Sequence, residues 1–188
     1  MRLTKTQEAL EAFKSFVIQQ ARTRLSKGRK NVSKELYNSL DGTVKEMPNS
    51  ISVSFEMEEY GYYQDRGVKG AKSSYPEIGR YGTLAKFGSG KGKKGGLSKG
   101  IKEWVRAKRF QFRDKKTGKF MSYDSTAFLI TRSVYNKGIK PSLFFTKPFE
   151  RAFKKLPDEL VEKFGLDVED FLAYTLKQDR LRWVQKLT

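Results

Sequence analysis

ISVSFEM, residues 51–57, is the stretch that decides the fold. Ile51, Val53, Phe55 and Met57 alternate with Ser52, Ser54 and Glu56, the period of two that gives a strand one face for a core and one for water. Pro48 and Asn49 supply a turn just before it, so residues 44–47 are expected to pair with it as the other arm of a hairpin. Outside this hairpin the apolar spacing is helical. The chain therefore reads as α+β, a small antiparallel sheet packed by helices, with a long N-terminal helix, a basic Gly/Lys-rich loop insertion and a helical C-terminal extension.

On the N-terminal side, Leu10, Phe13, Val17, Ala21 and Leu25 recur at three and four residues and predict a helix over residues 4–25, with Thr4 and Gln7 placed for a capping box. SKGRKN (26–31) ends it. A short helix over 33–40 sets Leu36 and Leu40 on one side and stops before Asp41-Gly42.

On the C-terminal side, residues 60–100 scatter Tyr60, Tyr62, Tyr63, Tyr75 and Tyr81 among glycines and run into GSGKGKKGGLSKG (88–100). A stretch this long without periodicity is expected to be an arm or insertion. Ser98 is expected to cap a helix that turns Ile101, Trp104 and Val105 inward. Residues 110–123 then form a hairpin that reverses at 115–118. A helix capped by Asp124 or Ser125 carries Phe128, Leu129 and Val134 to Gly138, a left-handed cap. GIKPSLFFTKP (138–148) is extended around Phe144 and Phe145, a helix spans 148–155, and beyond Pro157 an amphipathic helix presents Phe171, Leu172, Leu176 and Val184. The expected division is one domain over 1–156, with its basic loop at 70–100, and an extension over 157–188.

The chain has 188 residues, room for one full core, and although only 37 % are hydrophobic, 14 Phe, 9 Tyr and 2 Trp supply bulk. It contains no cysteine and no histidine, which excludes disulfides, most zinc and haem sites and every His-dependent triad. No apolar run approaches the roughly 18 residues that cross a bilayer, and no export signal stands at the N-terminus, so a soluble protein is expected, without contact to a membrane.

The net charge is +18. Such a chain repels its own copies unless a polyanion, an acidic neighbour or salt relieves it. Residues 86–120 hold thirteen basic and two acidic residues, whereas residues 150–188 hold eight of each, so the field is local. Lys86, Lys91, Lys93, Lys94, Lys99, Lys102, Arg106, Lys108 and Arg109 are the candidates for contact with DNA or an acidic partner. No helix-turn-helix or zinc-finger pattern accompanies them, so any nucleic-acid contact is expected to ignore sequence. A solvated charged face is the plainer reading of the same residues. Tyr62, Tyr63, Tyr75, Tyr81, Phe144 and Phe145 are candidates for a subunit interface; Tyr62, Tyr63, Tyr75, Tyr81 and Phe87 could alternatively stack on single-stranded bases.

Catalytic patterns are sparse. Gly90, Gly92 and Gly95 satisfy GxGxxG in form, but lysines and glycines surround them where a dinucleotide site needs a strand and a helix. No phosphate-binding Walker loop is present. Glu56, Glu58 and Glu59, and Asp167, Glu169 and Asp170, could serve a metal-dependent nuclease, or lie solvated on a strand face and in a helix's first turn. No catalytic residue, metal ligand or cofactor is assigned.

Taken in order, the segments resemble the neck, or tail-completion, family of tailed bacteriophages, also described as minor tail or head-tail joining components. The resemblance covers the N-terminal helix, Leu-x-x-Ser-Leu (36–40), ISVSFEM, YGYYQDRG (60–67), the helix with Trp104-Val105, Gly-Ile-x-Pro (138–141) and the aromatic stretch of 144–153. Residues 70–100 and everything after Pro157 depart from it. The resemblance implies a non-enzymatic virion protein, assembled in the host cytoplasm. It would form a homo-oligomeric ring that joins the portal or adaptor to the tail around the double-stranded DNA channel. The alternative from charge alone is a free nucleic-acid-binding protein.

Overall fold

The computed structural model describes residues 4–28, 33–47, 50–72, 85–89 and 95–186; of helix residues 176 and 178–186 only the backbone is considered. The chain divides into two compact units that alternate along the sequence. The first takes Met1–Arg24, Leu40–Glu56 and Phe144–Thr188, and the second takes Leu25–Ser39 and Met57–Leu143. The expected division at residue 156 is not where the units separate: residues 157–186 belong with the N-terminal helix.

In the first unit, α1 (Thr4–Lys27) is 24 residues long and buries Leu10, Phe13, Val17 and Ala21, the residues whose spacing predicted it. Strands β1 (Asp41–Met47) and β2 (Ser50–Glu56) pair antiparallel, with Val44 opposite Val53 and Glu46 opposite Ile51. Val44, Ile51, Val53 and Phe55 pack on Leu10, Phe13 and Val17, so the alternation of 51–55 becomes one side of a core. Phe13 lies edge-on to Phe55 and Phe149 at 6.1 and 5.7 Å between centroids, and Phe145 meets Phe55 at 5.3 Å. Such pairs add about 1 kcal/mol each beyond the area they bury.

α6 (Thr146–Phe153) begins two residues before Pro148 and brings Phe149 and Ala152 to the same core. α7 (Leu156–Lys186) is one helix of 31 residues, running through Gly165 without a break. Pro157 sits in its first turn, where a missing N–H leaves no hydrogen bond unmade. Leu156 and Leu160 reach the core, but Phe171 and Leu172 lie exposed instead of forming the inner face of an amphipathic helix.

α7 returns to α1 through Asp167. Its buried carboxylate accepts from Lys5 N (3.1 Å), Thr6 N (2.9 Å) and Thr6 Oγ1 (2.7 Å), and the Lys5 ammonium donates to Asp170 at 2.7 Å. The first amides of a helix have no partner within it and carry partial positive charge, so a carboxylate here is a cap supplied from 161 residues away. Burial alone pushes the Asp167 carboxyl toward protonation; the bonds from Thr6 and Lys5 outweigh it and hold its pKa below the ordinary aspartate value. Asp167→Ala is expected to cost about 1–3 kcal/mol at neutral pH. Because the folded pKa is the lower one, this contribution is fully present above roughly pH 4 and fades as pH falls through the folded value. Urea titrations of both proteins between pH 7 and pH 2.5 should converge at the acid end; a gap that stays constant would rule out a carboxylate cap.

In the second unit, α2 (Glu35–Ser39) buries Leu36, and Ser39 Oγ accepts from Glu58 N at 3.1 Å. Residues 60–66, expected to be loop, form α3 (Tyr60–Arg66). Gly67 closes it at φ 80°, ψ −179°, a region open in practice to glycine alone, and the chain turns at once into β3 (Val68–Lys69). The pattern repeats later: α5 (Tyr123–Lys137) ends on Gly138 at φ 95°, ψ −175°, which starts β4 (Gly138–Ile139). Gly138 therefore does not take the left-handed helical cap that its position suggested. β3 and β4 pair antiparallel, Val68 opposite Ile139 and Lys69 opposite Gly138.

α4 (Gly96–Ala107) packs on α5 and buries Val105. It starts two residues before Ser98, with Gly95 at φ 76° preceding it, so Ser98 is inside the helix. α5 is capped by Ser122, whose hydroxyl accepts from Ser125 N at 3.0 Å, not by Asp124 or Ser125. Its buried residues are Thr126 and Ala127; Phe128 is 64 % exposed and Leu129 also faces solvent.

Candidate cationic and aromatic face

Spacing alone puts Lys99, Lys102 and Arg106 on one line of α4, three and four residues apart, beside the buried Val105. All three are exposed. Asp124, in the first turn of α5, receives two of them: Lys102 Nζ at 3.4 Å and Arg106 at 3.5 Å. These ion pairs are solvated and worth well under about 1 kcal/mol each, so they can exchange for a partner's carboxylates or phosphates at little cost. Phe128 stands one turn beyond Asp124 on the same side of α5.

Past α4 the chain turns through Lys108 and Arg109, the latter at φ 51°, into residues 110–123. The expected hairpin is present only as an isolated antiparallel bridge, Arg113 to Phe120, closed by a tight turn. Asp114 makes that turn: its Oδ1 accepts from Lys116 N at 2.8 Å and Thr117 N at 2.9 Å, and these bonds, Thr117's first, hold its pKa below the usual aspartate value. Arg113, Lys115, Lys116 and Lys119 are thereby gathered on a stiff tip, all exposed. The Arg113 guanidinium lies over the Phe120 ring at 4.7 Å, although Phe120 itself remains 61 % exposed. At the base, Phe110 meets Trp104 and Phe112 at 6.3 and 5.2 Å, and Phe112 N donates to Thr126 Oγ1, fastening the tip to α5.

The expected cations are thus only partly brought together. Lys99, Lys102 and Arg106 share a line, with Lys108 and Arg109 at its end. Lys86 belongs to another element, where it bridges to Lys69 beside β3. Lys91, Lys93 and Lys94 lie outside the described residues, as do Tyr75 and Tyr81. The tip cations Arg113, Lys115, Lys116 and Lys119 were not singled out, although their density around Gly118 was the signal for them.

Among the aromatic candidates, Tyr62 and Tyr63 are exposed on α3 and lie edge-to-face at 5.6 Å. Phe144 does not belong with them: it is 1 % exposed, buried in the core. Phe145 is half-buried between Phe55 and Phe149. Between their prolines, the two phenylalanines help to close a core that the short sheet cannot fill alone.

The acidic clusters are dispersed. Asp167 caps α1, Asp170 pairs with Lys5, and among the described residues no three acidic side chains converge as a metal site would require. No described helix is long and apolar enough to cross a membrane. Comparison with family models, with curated proteins and with solved structures found no match for this chain.

Proposed function

We propose that this chain is a structural virion protein that assembles into an oligomeric ring in the head-tail connector of a tailed bacteriophage, joining portal or adaptor to tail around the DNA channel. The observation that carries the reading is apolar surface left uncovered on helices of both units: Phe128 and Leu129 on α5, Val161, Phe164 and Leu172 on α7. Contiguous apolar surface bordered by charge is what subunit interfaces are made of. The order of sequence segments that resembles the neck family supports the same reading. No catalytic residue or cofactor is part of it. Electron microscopy of the purified protein, and of particles carrying it, should reveal closed rings; a protein that stays monomeric with its neck partners and is missing from purified particles would sink the proposal.

A second reading, a free nucleic-acid-binding protein, is favoured by the Arg113 and Phe120 pair and the cations around it. It predicts binding to DNA that weakens by roughly 10⁴ between 50 and 200 mM salt if about 8 phosphates are neutralised. Replacing Lys91, Lys93, Lys94 and Lys99 by alanine should flatten that salt dependence. An unchanged slope in an electrophoretic or anisotropy titration removes the glycine-lysine segment as the contact.

A further inference from the structure

The first half of α7 has a sided character. Val161, Phe164, Val168 and Leu172 recur at three, four and four residues, one helical stripe, and Val161 is 74 % and Leu172 54 % exposed. Asp158, Glu162 and Glu169 run beside that stripe, each exposed. Residues 158–170 hold six acidic residues and only one basic, Lys163. Asp167 among them is buried as the cap of α1; the exposed carboxylates of Asp158, Glu159, Glu162, Glu169 and Asp170, the last paired with Lys5, make within a chain of +18 a concentrated negative surface joined to an apolar one.

The α4, tip and α5 face has the opposite sign and the same mixture. Lys99, Lys102, Arg106 and Arg113 are exposed there together with Phe112, Phe120 and Phe128, Arg113 lying over the Phe120 ring. DNA would satisfy the cations but leave the phenylalanines in water, because a duplex backbone offers no apolar match. An amphipathic helix with carboxylates along its apolar stripe satisfies both.

We propose that the acidic, apolar face of α7 in one copy docks on the α4, tip and α5 face of the next copy. The two surfaces differ, so the contact is head to tail and each copy keeps one free face of each kind, the arrangement that yields a closed ring or an open filament. It also removes the obstacle that net charge sets against self-association, since each contact places the negative part of one copy on the positive part of another. The inference rests on the ring reading above for closure alone.

The test is a charge swap in the full chain. One variant carries Asp158→Lys, Glu162→Lys and Glu169→Lys; the other carries Lys102→Glu, Arg106→Glu and Arg113→Glu. Sedimentation velocity at about 100 mM salt should give oligomers for the parent protein, a loss of association of at least about tenfold for each variant alone, and restored oligomers when the two are mixed. Val161→Asp with Leu172→Asp should abolish association even at low salt.

Either charge variant assembling like the parent overturns the docking, as does a parent that stays monomeric. DNA affinity lost by the second variant with self-association untouched overturns it too, and assigns the face to nucleic acid. Rings in micrographs of both charge variants would reject this contact and keep the ring reading; filaments restored by mixing would keep the contact and reject the ring. Should a charge variant fail to fold, the absence of native cysteine allows a second measurement. Glu162→Cys and Lys102→Cys, mixed and oxidised, should form the mixed disulfide in excess over either homodimer, and a statistical mixture counts against the proposal.

Discussion

Replacing Phe13 by alanine is expected to destabilise the first unit by about 3–5 kcal/mol, the range for truncating a buried aromatic ring. The size of the effect follows from what the ring touches. Phe13 is 8 % exposed and is joined edge-on to Phe55 from the sheet and to Phe149 from α6, so one side chain ties three elements of this unit. None of the neighbours can collapse into the space without giving up its own contact, and the cavity persists. Phe13→Leu keeps most of the volume and should lose less than half as much. Urea denaturation followed by circular dichroism checks both; near-equal losses would mean that the edge-on ring contacts, and not the bulk of the side chain, carry the stability.

Gly138→Ala is expected to cost about 3 kcal/mol or more, a large loss for adding one methyl group. Two effects combine there. The backbone holds φ 95° with ψ −175°, which an L-residue adopts only with strain, and an added Cβ would lie inside the van der Waals shell of the Val68 carbonyl. Relief requires β4 to move off β3, which breaks the pairing of Val68 with Ile139 and Lys69 with Gly138. Gly118 makes the control. It too has a positive φ, 68°, but nothing lies within 4 Å of its would-be Cβ. Gly118→Ala should therefore cost only about 1 kcal/mol. Similar losses at both positions would show that backbone angle, and not the close approach of two strands, governs Gly138. Thermal melts resolve the difference, since each kcal/mol shifts the midpoint by roughly 2–4 °C in a chain of this size.

The parts legible from residue order are those whose physics is local. The alternation of Ile51, Val53 and Phe55 and the three-four spacing of Leu10, Phe13 and Val17 each name an inner face without reference to the rest of the chain, and both faces are in the core. α3 was hidden because seven residues rich in tyrosine hold too few turns for a period to emerge. The buried face of α5 was hidden for another reason. Hydrophobicity favours Phe128 inside, but a helix that packs closely on another buries the small Thr126 and Ala127 and leaves the bulky ring out. The site followed the same rule: the cation line of α4 is a matter of spacing along one helix. Asp124 as the ion partner and Asp114 as the maker of the tip depend on contacts, and neither carboxylate differs from a solvated one by its neighbours in the chain.

The carboxylate of Asp167 on the amides of Lys5 and Thr6 has a consequence for how the protein comes into being. At the usual rate of about 5–20 residues per second, a ribosome needs roughly 8–30 s to pass from the helix that is capped to the residue that caps it. Throughout that interval α1 lacks its cap, and the apolar row of Leu10, Phe13 and Val17 lacks Leu156, a member of its core. The contact belongs late in folding, as loop closure over such a separation always does. The nascent first unit is then an open, adhesive intermediate, and maturation of its core waits on the translation of α7.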